Sequence, residues 1–348
     1  MSDQVTIEDV ARACGVSRAT VSRVINGESR VRPQTIEKVN EAIRALGYHP
    51  NLHAKALSGG GTDTVALMLP GVWRSYHAIL IEGVEEVASR EGFHVLVRTK
   101  DYLEEAERLF DEGRVEGFIF RNMDRAEEHA KLFSRLARRG IPFLLIGNPL
   151  GDYPAIAIDN VGGGRMVARH FLEHGFRRML YLSGPADHAD SQDRYFGFRV
   201  GLEEGGLGPE AILRAEGDYT TRSGFEAAAR LIPELEPEAV FAANDRMALG
   251  VLLYLRKRGL GVPGDMAVVG FDDAFFSEYL SPPLTTVRPP IHEMGTTAMK
   301  TMASILRKPG SLTGKIILPT SLVVRASCGC PFAPGEGSPL FDGSFNSE

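Results

Sequence analysis

At 348 residues, 43% hydrophobic and 24% charged, the chain is long enough for two or three domains with apolar cores and too apolar to be a disordered polymer. No run approaches the roughly 18 apolar residues of a membrane span, and the opening "MSDQVTIEDV" has no basic-then-apolar leader, so a cytoplasmic protein is expected. The formal net charge of -6 is unevenly shared: residues 1–60 carry a small excess of Lys and Arg and the remainder an excess of acid, which suits a head that meets a polyanion.

The head reads as three short helices. Thr6-Ile7-Glu8-Asp9 has the spacing of a capping box, in which hydroxyl and carboxylate each satisfy a free amide at a helix start. Ile7, Val10, Ala11 and Cys14 recur at helical spacing, Gly15 suits a left-handed turn residue, and Ser17 can cap the next helix, so a helix-turn-helix is predicted. In that second helix Val21, Val24 and Ile25 form the inward stripe, which leaves Ser17, Arg18, Ala19, Ser22 and Arg23 facing out. An arginine fork can hold guanine O6 and N7 together, while hydroxyls and a helix N-terminus suit phosphates. Pro33 opens a third helix with Ile36, Val39, Ile43 and Leu46 on one face and Gly47 at its end. In "YHPNLHAKALSGGGTDT", Asn51 can cap a segment containing Ala54, Lys55, Ala56 and Leu57 that is too short to be helical alone. It leads into a flexible Ser-Gly-Gly-Gly linker, so it is expected to fold against a partner.

From Thr64 onward, apolar runs alternate with helical stretches. "TVALMLP", "FHVLVRT", "GFIF", "PFLLIG" and "AIAID" read as buried strands, with helices such as Ile79 to Arg90 and Ala126 to Arg138 between them. "RRMLYLSG", "AVFAAN", "MAVVGFDD" and "KIILPTSLVV" form a second series, and the alternation predicts α/β architecture with two doubly wound parallel sheets. Ligands of such sheets lie beyond the carboxyl ends of the strands, where Arg121, Asn148, Asn244, Asp245, Asp272 and Asp273 fall; Asp245 and Asp273 read equally well as helix caps.

Gly162-Gly163-Gly164 lacks the Lys-Ser/Thr continuation of a phosphate-binding loop. No G-x-G-x-x-G follows the first strand and no nucleophile, base and orienter stand at a telling spacing, so neither a nucleotide cofactor nor a catalytic residue is expected. Cys14, Cys328 and Cys330 read as free thiols, and His170 and His174, with Phe171 where a zinc protease carries glutamate, read as surface or packing residues; no metal site is expected.

The stretch "VTIEDVARACGVSRATVSRVINGESRVRPQTIEKVNEAIRALGYHPN" resembles the DNA-binding head of the lactose/galactose repressor family, and the similarity continues to about Ala326. This resemblance implies that Arg18 and Ala19 occupy the variable operator-reading positions and Arg23 a nearly fixed base-reading one. Thr6, Ser17, Thr20, Ser22 and Asn26 match positions that hold phosphates or helix ends, and Leu57 matches a leucine wedged into the minor groove at the operator centre. Asn51, Ala54 and Lys55 belong to the same hinge. Arg32 departs from the serine or threonine that often caps the third helix, and His53 and Ala56 vary the hinge run.

By the same resemblance the body is a periplasmic-binding-protein-like core of two subdomains joined by three crossovers. Arg194, Asn244 and Asp272 match effector-contacting positions and Tyr219 an aromatic that stacks on the effector. Trp73, Arg74, Ser75, Tyr76 and His77 replace the usual residues at the cleft mouth, and Arg121, His77 and His188 are expected to face the same space. The expected organisation is a small all-α head at 1–50, a hinge helix and linker at 51–61, a core at 62–328 and a disordered tail at 329–348. Within the core, one subdomain comprises about 62–158 and 291–316 and the other about 159–290 and 317–328.

The function implied is a homodimeric transcriptional repressor of carbohydrate-utilisation genes that binds an inverted-repeat operator on double-stranded DNA. A sugar or sugar derivative, neutral or anionic, would control it, with the dimer surface around the helices after Ile79 and from Ile291 to Leu306. The tail has no leucine heptads, so tetramers are not expected. Two other readings share parts of this pattern: a global catabolite-type regulator controlled by a phosphoprotein partner, and a sugar-binding transport component, which the head argues against.

Overall fold

Apolar runs are buried along nearly their whole length, as strands covered on both faces must be: Thr64–Met68 (β1), Phe143–Gly147, Ala155–Ile158, Met179–Ser183, Ala239–Ala242 and Ala267–Phe271. They belong to two sheets in a computed structural model that describes residues 5–25, 31–48, 61–70, 75–122, 127–308 and 314–330. Of the hinge and linker expected at 51–61 and the tail expected at 329–348, residues 51–60 and 331–348 lie outside those described, while 61, 329 and 330 are within them.

In the head, α1 (Ile7–Cys14), α2 (Arg18–Ile25) and α3 (Pro33–Leu46) pack around Val10, Ala11, Val21 and Val39. The predicted capping box is present, with the Thr6 amide donating to Asp9 Oδ2 at 3.0 Å and the Asp9 amide to Thr6 Oγ1 at 3.4 Å. Gly15 takes the left-handed conformation (φ 67°) that turns the chain between α1 and α2. Arg32 stands at the N-cap of α3 with no side-chain cap bond.

The first sheet follows the order β11-β5-β4-β3-β1-β2 and is parallel throughout. Its elements are β1, α4 (Ser75–Glu91), β2 (His94–Arg98), α5 (Tyr102–Asp111), β3 (Gly117–Asn122), α6 (Glu127–Arg138), β4 (Phe143–Gly147) and β5 (Ala155–Ile158). The late elements α11 (Ile291–Arg307) and β11 (Lys315–Leu318) return to it.

The second sheet, ordered β12-β10-β9-β8-β6-β7, is parallel except for its antiparallel edge strand β12. It runs through α7 (Asn160–Glu173), β6 (Met179–Ser183), α8 (Ala189–Glu204), β7 (Ile212–Glu216), α9 (Thr221–Leu235), β8 (Ala239–Ala242), α10 (Asp245–Arg258), β9 (Ala267–Phe271), β10 (Thr285–Arg288) and β12 (Ser321–Val323).

The chain crosses between the sheets at Asp159, at Pro289-Pro290 and at Pro319-Thr320. The last crossing corrects two expectations. "KIILPTSLVV" is two strands in different sheets, because Pro319 cannot donate a ladder hydrogen bond. The subdomain boundary therefore falls after Leu318 rather than after residue 316. Sequence reading also passes over β7, whose pattern is half exposed at a sheet edge, and β10, four residues with two buried threonines between proline pairs.

The glycine triplet has a packing role. A Cβ on Gly164 would stand 2.1 Å from Arg194 O, and one on Gly197 only 1.9 Å from Val161 O, so these glycines let α7 and α8 approach backbone to backbone. That approach places Asn160, Asp190 and Arg194 side by side at the cleft.

Candidate functional site

The outward face of α2 matches the expectation from its apolar stripe. Ser17, Arg18, Ala19 and Arg23 are exposed, Thr20 and Ser22 half-buried, and Val21 buried. Ser17 Oγ accepts the Thr20 amide at 3.1 Å and pairs with Thr20 Oγ1 at 2.9 Å, which satisfies the start of α2. Thr6 Oγ1 donates to Asp9 Oδ2 at 2.6 Å, so this hydroxyl is committed to the helix end. Arg18 Nη1 rests 3.1 Å from Glu8 Oε1, an exposed pair of small energetic weight that a polyanion can displace. The expected contacts Asn26, Asn51, Ala54, Lys55 and Leu57 lie outside the described residues.

Between the two sheets, at the carboxyl ends of their strands, lies a cavity of about 420 Å³. Tyr76, His77, Arg121, His188, Arg194, Tyr219, Asn244 and Asp272 line it, bringing together residues dispersed over the chain. Asn148 is the exception. It is buried but does not line the cavity; Gly147, at the end of β4, does. Trp73 and Arg74 fall outside the described residues.

A chain of polar contacts runs across the cavity floor. Arg121, on β3, donates to Ile146 O at 3.2 Å and to Asp190 Oδ2 at 3.3 Å. Asp190 Oδ1 accepts Asn160 Nδ2 at 3.1 Å, and Asn160 Oδ1 accepts Arg194 Nε at 2.8 Å. Arg194 also donates to Ala243 O at 2.5 Å, lies 3.7 Å from Asp272 and stacks on the Phe271 ring at 3.6 Å. Each buried arginine thus faces a carboxylate, so the cavity floor is charge-compensated and offers directional donors and acceptors rather than a cationic well.

The rings supply the apolar part. Tyr219 packs on Gly184, where a Cβ would stand 2.2 Å from the ring, and meets His188 at a centroid distance of 5.4 Å. Burial pushes the Tyr219 phenol up to about 12, so its hydroxyl stays protonated at neutral pH. Tyr76 donates to Met294 Sδ at 3.3 Å, and Arg121 lies 5.2 Å from its ring centroid. Tyr219, Asp272 and Asp273 hold positive φ angles of 64°, 112° and 48°, so three cavity residues occupy conformations that side chains rarely adopt.

Asn244 caps α10 by accepting the Met247 amide at 2.9 Å, while its Nδ2 donates to Tyr219 O at 3.2 Å. Asp245 does not act as that cap. It is fully buried and accepts the Ala274 amide, Ser277 Oγ and Thr286 Oγ1 at 2.7, 2.6 and 2.6 Å, pinning the loop after β9. Burial, then the charge of Asp272, raises its carboxyl to about 7. Asp273 pairs with Arg325 at 2.8 Å.

Sequence reading missed Asp190, Ile79, Ile291, Met294, Phe275 and Phe276 as cavity residues. The aromatic pair following Asp272-Asp273 was a usable signal, since it sits directly after a strand end and Phe275 is 72% exposed. Asp190 gave none, because only the α7–α8 packing brings it under Arg121. Cys14, Cys328 and Cys330 are free thiols, as read, but sequence reading treated the histidines and the terminal cysteines separately, whereas His170, His174, Cys328 and Cys330 meet, with their ligand atoms all within 4.8 Å of one another.

Comparison with known proteins adds a lineage. The family described as bacterial regulatory proteins, lacI family, matches residues 6–51, and the periplasmic binding protein-like domain family matches residues 168–328. The HTH-type transcriptional regulator DegA of Bacillus subtilis is 35% identical over 328 residues, spanning 92% of this chain and 97% of that protein. Among solved structures, the transcriptional regulator CelR–cellobiose complex is 34% identical with a TM-score of 0.70, covering 93% of this chain and 99% of that one. The lac repressor dimer bound to operator and the anti-inducer ONPF is 28% identical with a TM-score of 0.82, at the same coverage of both chains.

Proposed function

This chain belongs to the lacI family of bacterial regulatory proteins and is a DNA-binding transcriptional regulator, and from that premise we propose how it works: two copies grip an inverted-repeat operator, and a neutral sugar in the cleft controls the grip. It acts in the cytoplasm as a repressor of carbohydrate-utilisation genes. Arg18, Ala19 and Arg23 read base edges, Ser17, Thr20 and Ser22 position the phosphate backbone, and Thr6 holds the helix end. Asn26 joins the backbone contacts, and Asn51, Ala54 and Lys55 carry Leu57 into the minor groove. There, parting one base step costs a few kcal/mol and the resulting bend lets more protein touch DNA. Two hinges must meet at one step, so a homodimer follows, with its contact around α4 and α11.

The observation that carries the effector reading is the polar chain Arg121–Asp190–Asn160–Arg194 spanning both subdomains beneath a cavity walled by Tyr76, His188 and Tyr219. Hydroxyls need donors and acceptors together, and aromatic faces suit the C–H face of a pyranose. The compensated arginines favour a neutral sugar over a phosphorylated one, and the solved complex of CelR with cellobiose supports a saccharide. A ligand touching both subdomains shifts the operator-binding equilibrium only through its different affinities for the closed and open arrangements.

The test has two arms. Selection from a randomised duplex pool should return an inverted repeat, and Arg23→Ala should weaken binding to it by about 1 to 3 kcal/mol. Calorimetry against neutral sugars and sugar phosphates should show binding by a neutral member that alters operator affinity. Tight binding of sugar phosphates alone would contradict the effector class, and absence of any selected repeat would contradict the operator mode.

A further inference from the structure

We propose that His170, His174, Cys328 and Cys330 hold a structural zinc ion that fastens the end of the core to α7. His170 and His174 stand one helical turn apart at the C-terminal end of α7, so both rings project from one face. Cys328 closes a short 3-10 turn, Ala326–Cys328, and Gly329 then adopts φ 98°, a left-handed conformation that reverses the chain and returns the Cys330 thiol toward the same point. Cys330 Sγ lies 3.2 Å from His174 Nε2 and 3.8 Å from His170 Nε2. Zinc–sulfur and zinc–nitrogen bonds of about 2.3 and 2.0 Å place tetrahedral ligand atoms about 3.3 to 3.8 Å apart, close to these two contacts, and the cluster as a whole, within 4.8 Å, needs to contract by only about 1 Å at its widest.

The surroundings support a cation. Thr285 Oγ1 donates to Cys328 Sγ at 3.1 Å, a bond that suits a thiolate. Glu173 Oε2 lies 4.0 Å from His170 Nδ1 and adds a negative charge beside the cluster. The negative end of the α7 dipole also faces the cluster. Cys328 and His170 are buried, and four protein ligands leave no coordination position open, so the role is structural rather than catalytic. The same helix begins at Asn160 in the cleft, so the ion would fix one end of a helix whose other end carries the polar chain.

The experiment uses the full untagged chain, purified under reducing conditions after growth in zinc-replete medium. Elemental analysis should find about one zinc per chain. Cobalt exchanged into the site should give the visible ligand-field bands of a tetrahedral centre and a thiolate charge-transfer band. Cys330→Ser and His174→Ala should each lose the metal, Cys14→Ser should keep it, and chelation should lower the melting temperature of the core reversibly. A wild-type chain that takes up neither zinc nor cobalt overturns the proposal. So does a metal-free chain with a Cys328–Cys330 disulfide under these conditions, or zinc retained in full by both ligand variants. The wild-type cobalt spectrum decides the matter even if a variant misfolds.

Discussion

Arg121 Nη2 stands 3.3 Å from Asp190 Oδ2, and the pair bridges the two sheets: Arg121 lies on β3 of one, Asp190 in the first turn of α8 on the other. Arg121 is 6% exposed, and its buried charge is held among neighbours that include that carboxylate and the carbonyl of Ile146. A sugar entering the cavity meets a strut whose donors and acceptors it can share or displace.

Asp190→Asn should destabilise the core by about 3 kcal/mol, because it removes the carboxylate that faces a buried guanidinium. Combining it with Arg121→Met should recover part of the loss, since the buried guanidinium is then removed along with that carboxylate. Urea unfolding of the two single variants and the double variant measures the coupling; additive losses would show that the pair is not a strut.

Gly184→Ala should reduce effector affinity at least tenfold, about 1.4 kcal/mol, while leaving operator selection intact. The new methyl would stand 2.2 Å from the Tyr219 ring, which must leave its place on the cavity wall. Calorimetry with the sugar identified for the parent chain, beside a gel-shift titration, separates the two effects.

Arg32→Ser should raise the stability of the head by about 1 kcal/mol, because α3 begins without a side-chain acceptor for its free amides. Hydrogen exchange at α3 amides reads this directly. Equal exchange in parent and variant would mean that solvent already satisfies the helix end.

The Asp245 carboxyl predicts a pH dependence. Its folded value of about 7 lies above the ordinary 3.8, so the folded chain retains a proton that the unfolded chain releases. Its contribution to stability is therefore complete below about pH 4 and is lost as pH rises through about 7, with a slope of at most about 1.4 kcal/mol per pH unit. Unfolding free energies measured across that window should decline with pH in the parent, and Asp245→Asn should flatten the decline.

Much of the protein was legible as local pattern. The capping box at Thr6 and Asp9, the turn at Gly15, the outward Arg18 and Arg23, and the paired series of buried strands each follow from residues close together in the chain. For those features, side-chain periodicity and caps determine the outcome without help from distant segments. The strand-end rule also placed Arg121, Asn244 and Asp272 beside one cleft.

What only the tertiary structure decided depends on contacts between distant residues. Asp190 reaches Arg121 because Gly164 and Gly197 let two helices touch, a fact no single stretch encodes. Asn148 follows a strand into the same region yet lies off the cavity wall, and Asp245 turns from helix cap to loop anchor once Thr286 and Ser277 close around it. His170 and Cys330 come together across 160 residues because β12 and the short turn after it return to the end of α7. Hydrophobic periodicity specifies which face of an element is buried; it does not specify which polar groups from remote elements are brought face to face by that burial.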